Sequence, residues 1–392
     1  MWNRYNSIYS ETMNPILSQM SPFMVMDVLE RANALQRQGA DVIHLEVGEP
    51  DFEMPRCALE AMQRAMADGL THYTHSLGDL DLREAIAAFY ASEHGVEGDP
   101  ECIVVTSGSS PALLMAVMLL CGAGDELLMS NPGYACYRNF ALACNAVPAE
   151  VTLRAETGFD YDMDELRRAV GSRTRALIIN SPMNPTGTLL GPSTMQALAG
   201  LPVPVISDEI YHGLVYGGKA HTMLEYTDNC FVVNGFSKRF AMTGLRLGWM
   251  VVPRRHVRSV RTLQQNLFIC APSLSQRAGL AALQGASADV ERMRAVYDER
   301  RRFLIGRLRQ LGFVIHTEPE GAFYIFADAR RLTDDVYRFA FEVLEQAHVG
   351  ITPGIDFGTN GSGFVRFSYA NSLSNISEAT NRIEAFLRTR GR

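Results

Sequence analysis

The sequence predicts an α/β protein: a large domain built on a mostly parallel sheet flanked by helices, joined to a smaller α+β unit. Three observations lead there. From about Cys102 to Pro253, short apolar runs of strand length alternate with longer helical patterns, as in β-α-β construction. Each run stops in a polar or glycine-rich turn, and in open α/β sheets ligands bind outside such strand ends. After about Ala286 the rhythm changes to a long charged helix followed by a different mixture of strands and helices.

Taken in order, CIVVTS ends in Gly108-Ser109-Ser110 and leads into a helix expected to open at Pro111, a residue favoured at the first helical position. The segment Pro111 to Gly122, PALLMAVMLLCG, is too short to span a bilayer and has the length of a buried helix. DELLMS ends in NPGY, Asn131 to Tyr134. RALIIN ends at Asn180 and runs into SPMNPTG, and VPVIS ends at Asp208, in SDEIY. CFVV ends in NGFSK, which carries Lys238, and GWMVV runs from Gly248 to Pro253. Five of these ends are expected to converge on one crevice, where the lysine, the aspartate, an arginine, two asparagines and the serine-glycine turn face a common volume. The C-terminal pattern reads as a solvated amphipathic helix, VERMRAVYDERRRFLIGRLRQL, then GAFYIFADA, VYRFAFEVLEQAHV, GFVRFSYA and a last helix, NISEATNRIEAFLRTR.

Composition narrows the function classes. The 392 residues are 47% hydrophobic and 20% charged, an ordinary globular balance, and the net charge of -7 leaves no basic surplus for nucleic acid. The start, MWNRYNSIYSETMNP, has no basic region followed by an apolar core, so a cytoplasmic location and no membrane attachment are expected. Seven cysteines, Cys57, Cys102, Cys121, Cys136, Cys144, Cys230 and Cys270, are scattered without CxxC spacing and read as reduced thiols. The nine histidines form no HExxH, so no metal site is expected.

A lysine at a strand end becomes a nucleophile when its amine is desolvated or lies beside another cation, a role Arg246 can fill for Lys238. Ser109, Ser110 and Ser237, with the backbone N–H groups of the helix that follows Gly108, make a phosphate site. Lysine, phosphate cup and the carboxylate of Asp208 together suggest pyridoxal 5′-phosphate, whose aldehyde forms a Schiff base with lysine and whose ring nitrogen is held protonated by an aspartate.

Those residues also carry a resemblance. SKRFAMTGLRLG, NPTG and SDEIY, in this order and spacing, with SPFMVMDVLERA and LEVGEPDF near the start and FVRFSYA near the end, resemble the class I and II aminotransferases of the aspartate aminotransferase type, fold type I. The expected fold is then a large domain, residues 51–285, on a mostly parallel seven-stranded sheet, and a small α+β domain assembled from residues 1–50 and 286–392. The resemblance implies that Lys238 forms the Schiff base and shuttles the substrate proton, that Asp208 partners the ring nitrogen, and that Tyr211 and Asn184 hydrogen-bond the phenolic oxygen. It further implies that Arg246 and Ser237 join Gly108, Ser109 and Ser110 around the phosphate, and that Tyr134 stacks on the ring. Arg366 would clasp the substrate carboxylate with its bidentate fork, near the backbone of Gly48 and beside Asn184. Tyr73 would reach the phosphate of a neighbouring subunit, which implies a homodimer.

Two positions depart from the family pattern. Gly235 stands where several members have a phosphate-binding serine, and Tyr134 stands where aspartate enzymes carry tryptophan, which turns the expectation away from aspartate. Each residue alone has a structural reading, Asp208 as a helix cap, Asn184 as a turn residue and Lys238 as a solvated lysine; it is their company that reverses it. His212 beside Tyr211 is read as a pocket-wall or packing residue, and the methionines as core filling. The expected reaction is ping-pong transfer of an amino group between an L-amino acid and a 2-oxo acid. Two other outcomes use the same apparatus: β-elimination, as in C-S β-lyases of this fold, and a regulatory module that binds cofactor or amino acid without turnover. A nucleotide-binding Rossmann enzyme would want GxGxxG after the first strand, and none occurs.

Overall fold

The computed structural model describes residues 14–390, so most of the stretch read for a targeting signal lies outside the described residues. Among the described residues, a short 3-10 turn (Pro15–Gln19) precedes α1 (Met24–Arg37), β1 (Ile43–His44), α2 (Arg56–Ala67) and α3 (Leu80–His94). The alternating region follows as β2 (Ile103–Thr106), α4 (Ser109–Leu120), β3 (Glu126–Asn131), α5 (Cys136–Ala143), β4 (Val147–Thr152), α6 (Met163–Ala169) and β5 (Thr174–Asn180). It continues through α7 (Pro192–Ala199), β6 (Val205–Asp208), β7 (Cys230–Gly235), the short α8 (Phe236–Arg239), β8 (Gly248–Val251), α9 (Val257–Leu267) and α10 (Ser273–Gly285). The chain closes with α11 (Ser287–Gln310), β9 (Tyr324–Asp328), α12 (Val336–Ala347), β10 (Val349–Gly350), β11 (Thr352–Pro353), β12 (Phe364–Ser368) and α13 (Leu373–Thr389).

Seven strands form one sheet in the order β2-β8-β7-β6-β5-β3-β4. All neighbours are parallel except at β8, which runs against both β2 and β7. Six of the strands coincide with the apolar runs in the sequence. The seventh, β4, escaped that reading because, unlike the covered edge strand β2, it is little buried, and VPAEVT, with Pro148 and Glu150, has no continuous apolar run to show. Residues alternate across the sheet as the pleat requires. Val104, Leu127, Met129, Ile178, Ile206 and Val233 pack on one face against α4. Ile103, Val105, Leu128, Leu177, Ile179 and Val232 pack on the other, with α3 and α10.

The apolar Pro111 segment is indeed a buried helix, with Ala112, Leu113, Met115, Ala116 and Val117 enclosed, each large side chain contributing roughly 1.5–3 kcal/mol by burial. Its start differs from the expectation. The helix opens at Ser109, two residues before Pro111, because Gly108 adopts φ +100 as its cap and sends the chain into the helix at once. The first-turn N–H groups of Ser109 and Ser110 therefore sit at the strand end rather than in a preceding loop.

A third core lies in the C-terminal region, where Tyr297, Leu304, Phe339, Val343, Val365, Phe367 and Ile383 pack together with Ile43 and Leu45. The N-terminal segment is tied to it by parallel pairing of β1 with β10 and by the Ser368 N–H, which donates to the Leu45 carbonyl at 2.7 Å. The arginine-rich helix α11 is not wholly solvated. Arg300 is buried, donates to Asp51 at 2.8 Å and lies over the Phe52 and Tyr297 rings, a role that charge pattern alone does not reveal. No helix among the described residues is long and apolar enough to cross a membrane.

Candidate active site

Along the carboxyl ends of β5, β6 and β7 lies a cavity of about 180 Å³. Its wall brings together Gly48, Ser109, Ser110, Tyr134, Asn184, Asp208, Tyr211, Lys238 and Arg366, nine of the residues singled out in the sequence. Residues from positions 48 to 366 meet here because the sheet ends, the N-terminal segment and β12 share one crevice.

Lys238 reaches the cavity through a tight turn. Strand β7 ends at Gly235, in extended backbone, and α8 begins at once. A Cβ at Gly235 would stand 3.1 Å from the Leu247 carbonyl oxygen and 3.2 Å from Gly248 Cα, so a serine at this position would need its neighbours to give way. That crowding is the physical counterpart of the family departure. The Lys238 amine donates to the Gly48 carbonyl at 2.5 Å. Burial pulls its pKa down to about 8, against the attraction of Glu49 and with help from Arg366 and Arg246. A lysine so placed carries a substantial neutral fraction near pH 8.

Asp208 ends β6 and is 4% exposed. Its Oδ2 accepts a hydrogen bond from the Tyr137 hydroxyl at 2.7 Å, and its Oδ1 accepts from the Ile210 N–H at 3.2 Å. Burial pushes its carboxyl up to about 6, and the Tyr137 bond, the Ile210 bond and Lys238 oppose that rise. The Asn180 amide donates to the Asp208 carbonyl at 2.9 Å and fixes the end of β6 against β5.

Arg366, on β12, is 2% exposed and held before any ligand arrives. Its Nη1 donates to Asn184 Oδ1 at 2.9 Å and its Nη2 to the Glu46 carbonyl at 2.5 Å. The guanidinium lies 4.3 Å from the Tyr324 ring centroid and 4.9 Å from that of Phe357, which fixes its plane. Nε has no hydrogen-bond partner among the described residues, an unmet donor on a buried cation. The Tyr211 and Tyr324 hydroxyls share a hydrogen bond of 2.9 Å. Gly48 has no room for a side chain, since a Cβ there would stand 2.2 Å from the Tyr324 hydroxyl.

Four expected phosphate ligands, Gly108, Arg246, Ser237 and Tyr73, are not on the cavity wall. Gly108 caps α4 beside it, and a Cβ on Gly108 would lie 2.5 Å from Arg246 Nη2, so the exposed arginine covers the turn closely. Ser237 is buried in α8, next to Lys238. Tyr73 is 81% exposed and does not line the cavity of its own chain. His212 is also absent from the wall; it is buried 3.5 Å from Glu209, with the His94 ring 5.5 Å away, and so packs rather than acts on a ligand.

Sequence reasoning missed Tyr137 and Tyr324, and the apolar wall formed by Phe23, Val25, Met26 and Leu29. Tyr137 stands one helical turn beyond Tyr134, but its partner lies 71 positions away, a contact no local pattern announces.

The donor set fits pyridoxal 5′-phosphate. A desolvated amine, a buried carboxylate for the ring nitrogen, hydroxyls at Tyr211 and Tyr324, and a helix N-terminus flanked by Ser109, Ser110 and Arg246 supply each contact the cofactor's groups require. Gly48 and Gly108 keep the approach free of side chains.

Comparison with known proteins agrees. The family described as aminotransferase class I and II matches residues 40–383. The chain is 38% identical to (5-formylfuran-3-yl)methyl phosphate transaminase of Methanocaldococcus jannaschii, over 95% of this chain and 98% of that one. It is likewise 38% identical to valine–pyruvate aminotransferase of Mycobacterium tuberculosis, over 93% and 96% of the two chains. The solved structure of aspartate aminotransferase from Thermus thermophilus with maleate superimposes with a TM-score of 0.91 at 35% identity, covering 95% of this chain and 99% of that one. The chain therefore belongs to the class I and II aminotransferases, enzymes that transfer amino groups with pyridoxal phosphate.

Proposed function

We propose that Lys238, Asp208, Tyr211 and Arg366 carry the ping-pong transfer of an amino group between an L-amino acid and a 2-oxo acid in this cavity. The observation that carries the assignment is the Lys238 amine, lowered to about 8 by burial and sharing one cavity with a buried carboxylate and a fixed guanidinium. Pyridoxal phosphate bound there supplies an electron sink for the charge left when the substrate Cα loses its proton. Arg366 holds the substrate carboxylate, and because its plane is fixed by Tyr324, Phe357 and Asn184, the substrate Cα is directed toward Lys238. Lys238 Nζ takes the Cα proton and returns it one position along, so one amine serves as base and acid in turn.

Asp208 would hold the ring nitrogen protonated, and Tyr137, by donating to that carboxylate, favours its ionised form. Tyr211 and Asn184 would hold the phenolic oxygen, and Tyr134 would pack against the ring. Ser109, Ser110, Gly108, Ser237 and Arg246 would hold the phosphate. The exposure of Tyr73 supports a homodimer in which it reaches the partner's phosphate.

The test is a visible spectrum of the purified protein with pyridoxal phosphate, before and after borohydride, followed by a panel of amino acids. Wild type is expected to hold a reducible chromophore that bleaches with some amino acids and returns with a 2-oxo acid. Full turnover by Lys238→Ala would refute the assignment, and release of ammonia and pyruvate would move the reaction to β-elimination.

A further inference from the structure

We infer that the amino donors of this enzyme carry uncharged, apolar side chains, and that Phe23 and the first two turns of α1 form the surface that selects them. The inference rests on the roles proposed for Lys238 and Arg366, which fix where a substrate's Cα and carboxylate lie.

The cavity wall divides by chemistry. On the proposed roles, Asp208, Lys238, Tyr211, Asn184, Ser109 and Ser110 would be taken up by the cofactor's groups, and Arg366 by the substrate carboxylate. What remains is mostly apolar: Phe23, Val25, Met26 and Leu29 from α1 and the residue before it, with Val47 and Leu113, while the polar groups of Asn180 and Tyr324 are engaged by Asp208, Asn184 and Tyr211. Among the described residues on the wall the charged side chains are Asp208, Lys238 and Arg366, so none is left for a second carboxylate. Arg246 lies against Gly108, at the phosphate end.

The α1 wall is also held in place from outside. Phe23, at the helix cap, has no side-chain bond to the first turn. Asp356 supplies it instead, across 332 positions, accepting from the Met24 N–H at 2.8 Å and the Val25 N–H at 3.3 Å. Asp356 is itself buried, and Asp27 lies in the same first turn. A distal carboxylate would therefore find no unengaged cation on this wall, whereas an aliphatic or aromatic side chain would cover Phe23, Leu29 and the 45%-exposed Met26. Phe23 also meets Tyr134 edge-on at 6.1 Å, so the apolar wall continues to the ring that faces the cofactor.

The experiment is stopped-flow bleaching of the full-length holoenzyme chromophore by L-leucine, L-methionine and L-phenylalanine on one side and L-aspartate and L-glutamate on the other. At least one apolar donor is expected to show a second-order rate constant greater than either acidic donor by ~10-fold or more, the range that a side-chain pocket commonly supplies. Met26→Arg, a change at an exposed position, should raise the constant for aspartate and lower the apolar-to-acidic ratio by ~10-fold. An acidic donor that outruns all three apolar ones in wild type would overturn the inference, as would a ratio unmoved in a Met26→Arg protein that still carries its chromophore. Silence toward every amino acid would overturn the roles given to Lys238 and Arg366, and this inference with them, a result distinct from an acidic preference.

Discussion

Replacing Tyr137 by phenylalanine removes one hydroxyl and leaves the ring packing of α5 intact. That hydroxyl donates to Asp208 Oδ2 at 2.7 Å in a site where both residues are buried. A hydrogen bond to a charged group contributes about 1.5–3 kcal/mol, which corresponds to roughly one to two pH units on the acceptor's titration. Asp208 is pushed up to about 6 by burial even with the bond present, and the bond acts to lower it. Without it the carboxyl rises further and is largely protonated at neutral pH. A protonated Asp208 no longer attracts the protonated ring nitrogen, so cofactor affinity should fall on the acid side at a higher pH than in wild type. The assay is titration of apoprotein with pyridoxal phosphate from pH 5 to 9, followed by the visible chromophore. The acid limb of Tyr137→Phe should move up by about one to two pH units, with affinity at pH 9 close to wild type. Superimposable profiles for the two proteins would refute the claim that Tyr137 sets the charge of Asp208.

Three further outcomes follow from the same geometry. Arg366→Ala should reduce kcat/KM for every amino acid by about 2–5 kcal/mol in transition-state terms, and a loss confined to one substrate in steady-state kinetics would contradict the α-carboxylate role. Gly108→Ala places a side chain at φ +100 and 2.5 Å from Arg246 Nη2, so cofactor affinity measured by spectral titration should drop; unchanged affinity would separate this turn from the phosphate. Glu209 is fully buried and its carboxyl is pushed up to about 8 by burial, against about 4.3 in an unfolded chain. Between those values the folded apoprotein keeps a proton that the unfolded chain has lost, so its stability falls as pH rises through that window. Glu209→Gln stays neutral and keeps an acceptor for Ser207, Thr222 and the Met223 N–H, so urea denaturation at pH 5 and 8.5 should show a decline smaller than wild type by on the order of 2 kcal/mol; an equal decline would refute the raised carboxyl.

The sequence determined the rhythm of the fold and the chemistry of the site's floor. Continuous apolar runs betray β2, β3, β5, β6, β7 and β8 because those strands are covered on both faces, and an edge strand such as β4 is silent because half of it faces water. Lys238, Asp208 and Asn184 were legible because each sits directly at the end of such a run, where local order along the chain maps onto position in the crevice. What lies across the crevice from those ends was not legible.

Tyr137 on Asp208, Tyr324 against Tyr211, and Asp356 capping α1 are contacts between segments 71 to 332 positions apart, and no periodicity encodes which distant residue arrives. The same holds for magnitudes. A lysine in a turn and an aspartate after a strand have ordinary pKa values until packing removes their water, and that packing comes from three cores and an N-terminal segment threaded into the C-terminal unit. Residue types and their local spacing name the groups that can do the chemistry; burial and long-range contact, which exist only once the chain has closed on itself, decide their charge, their aim and the side chains they admit.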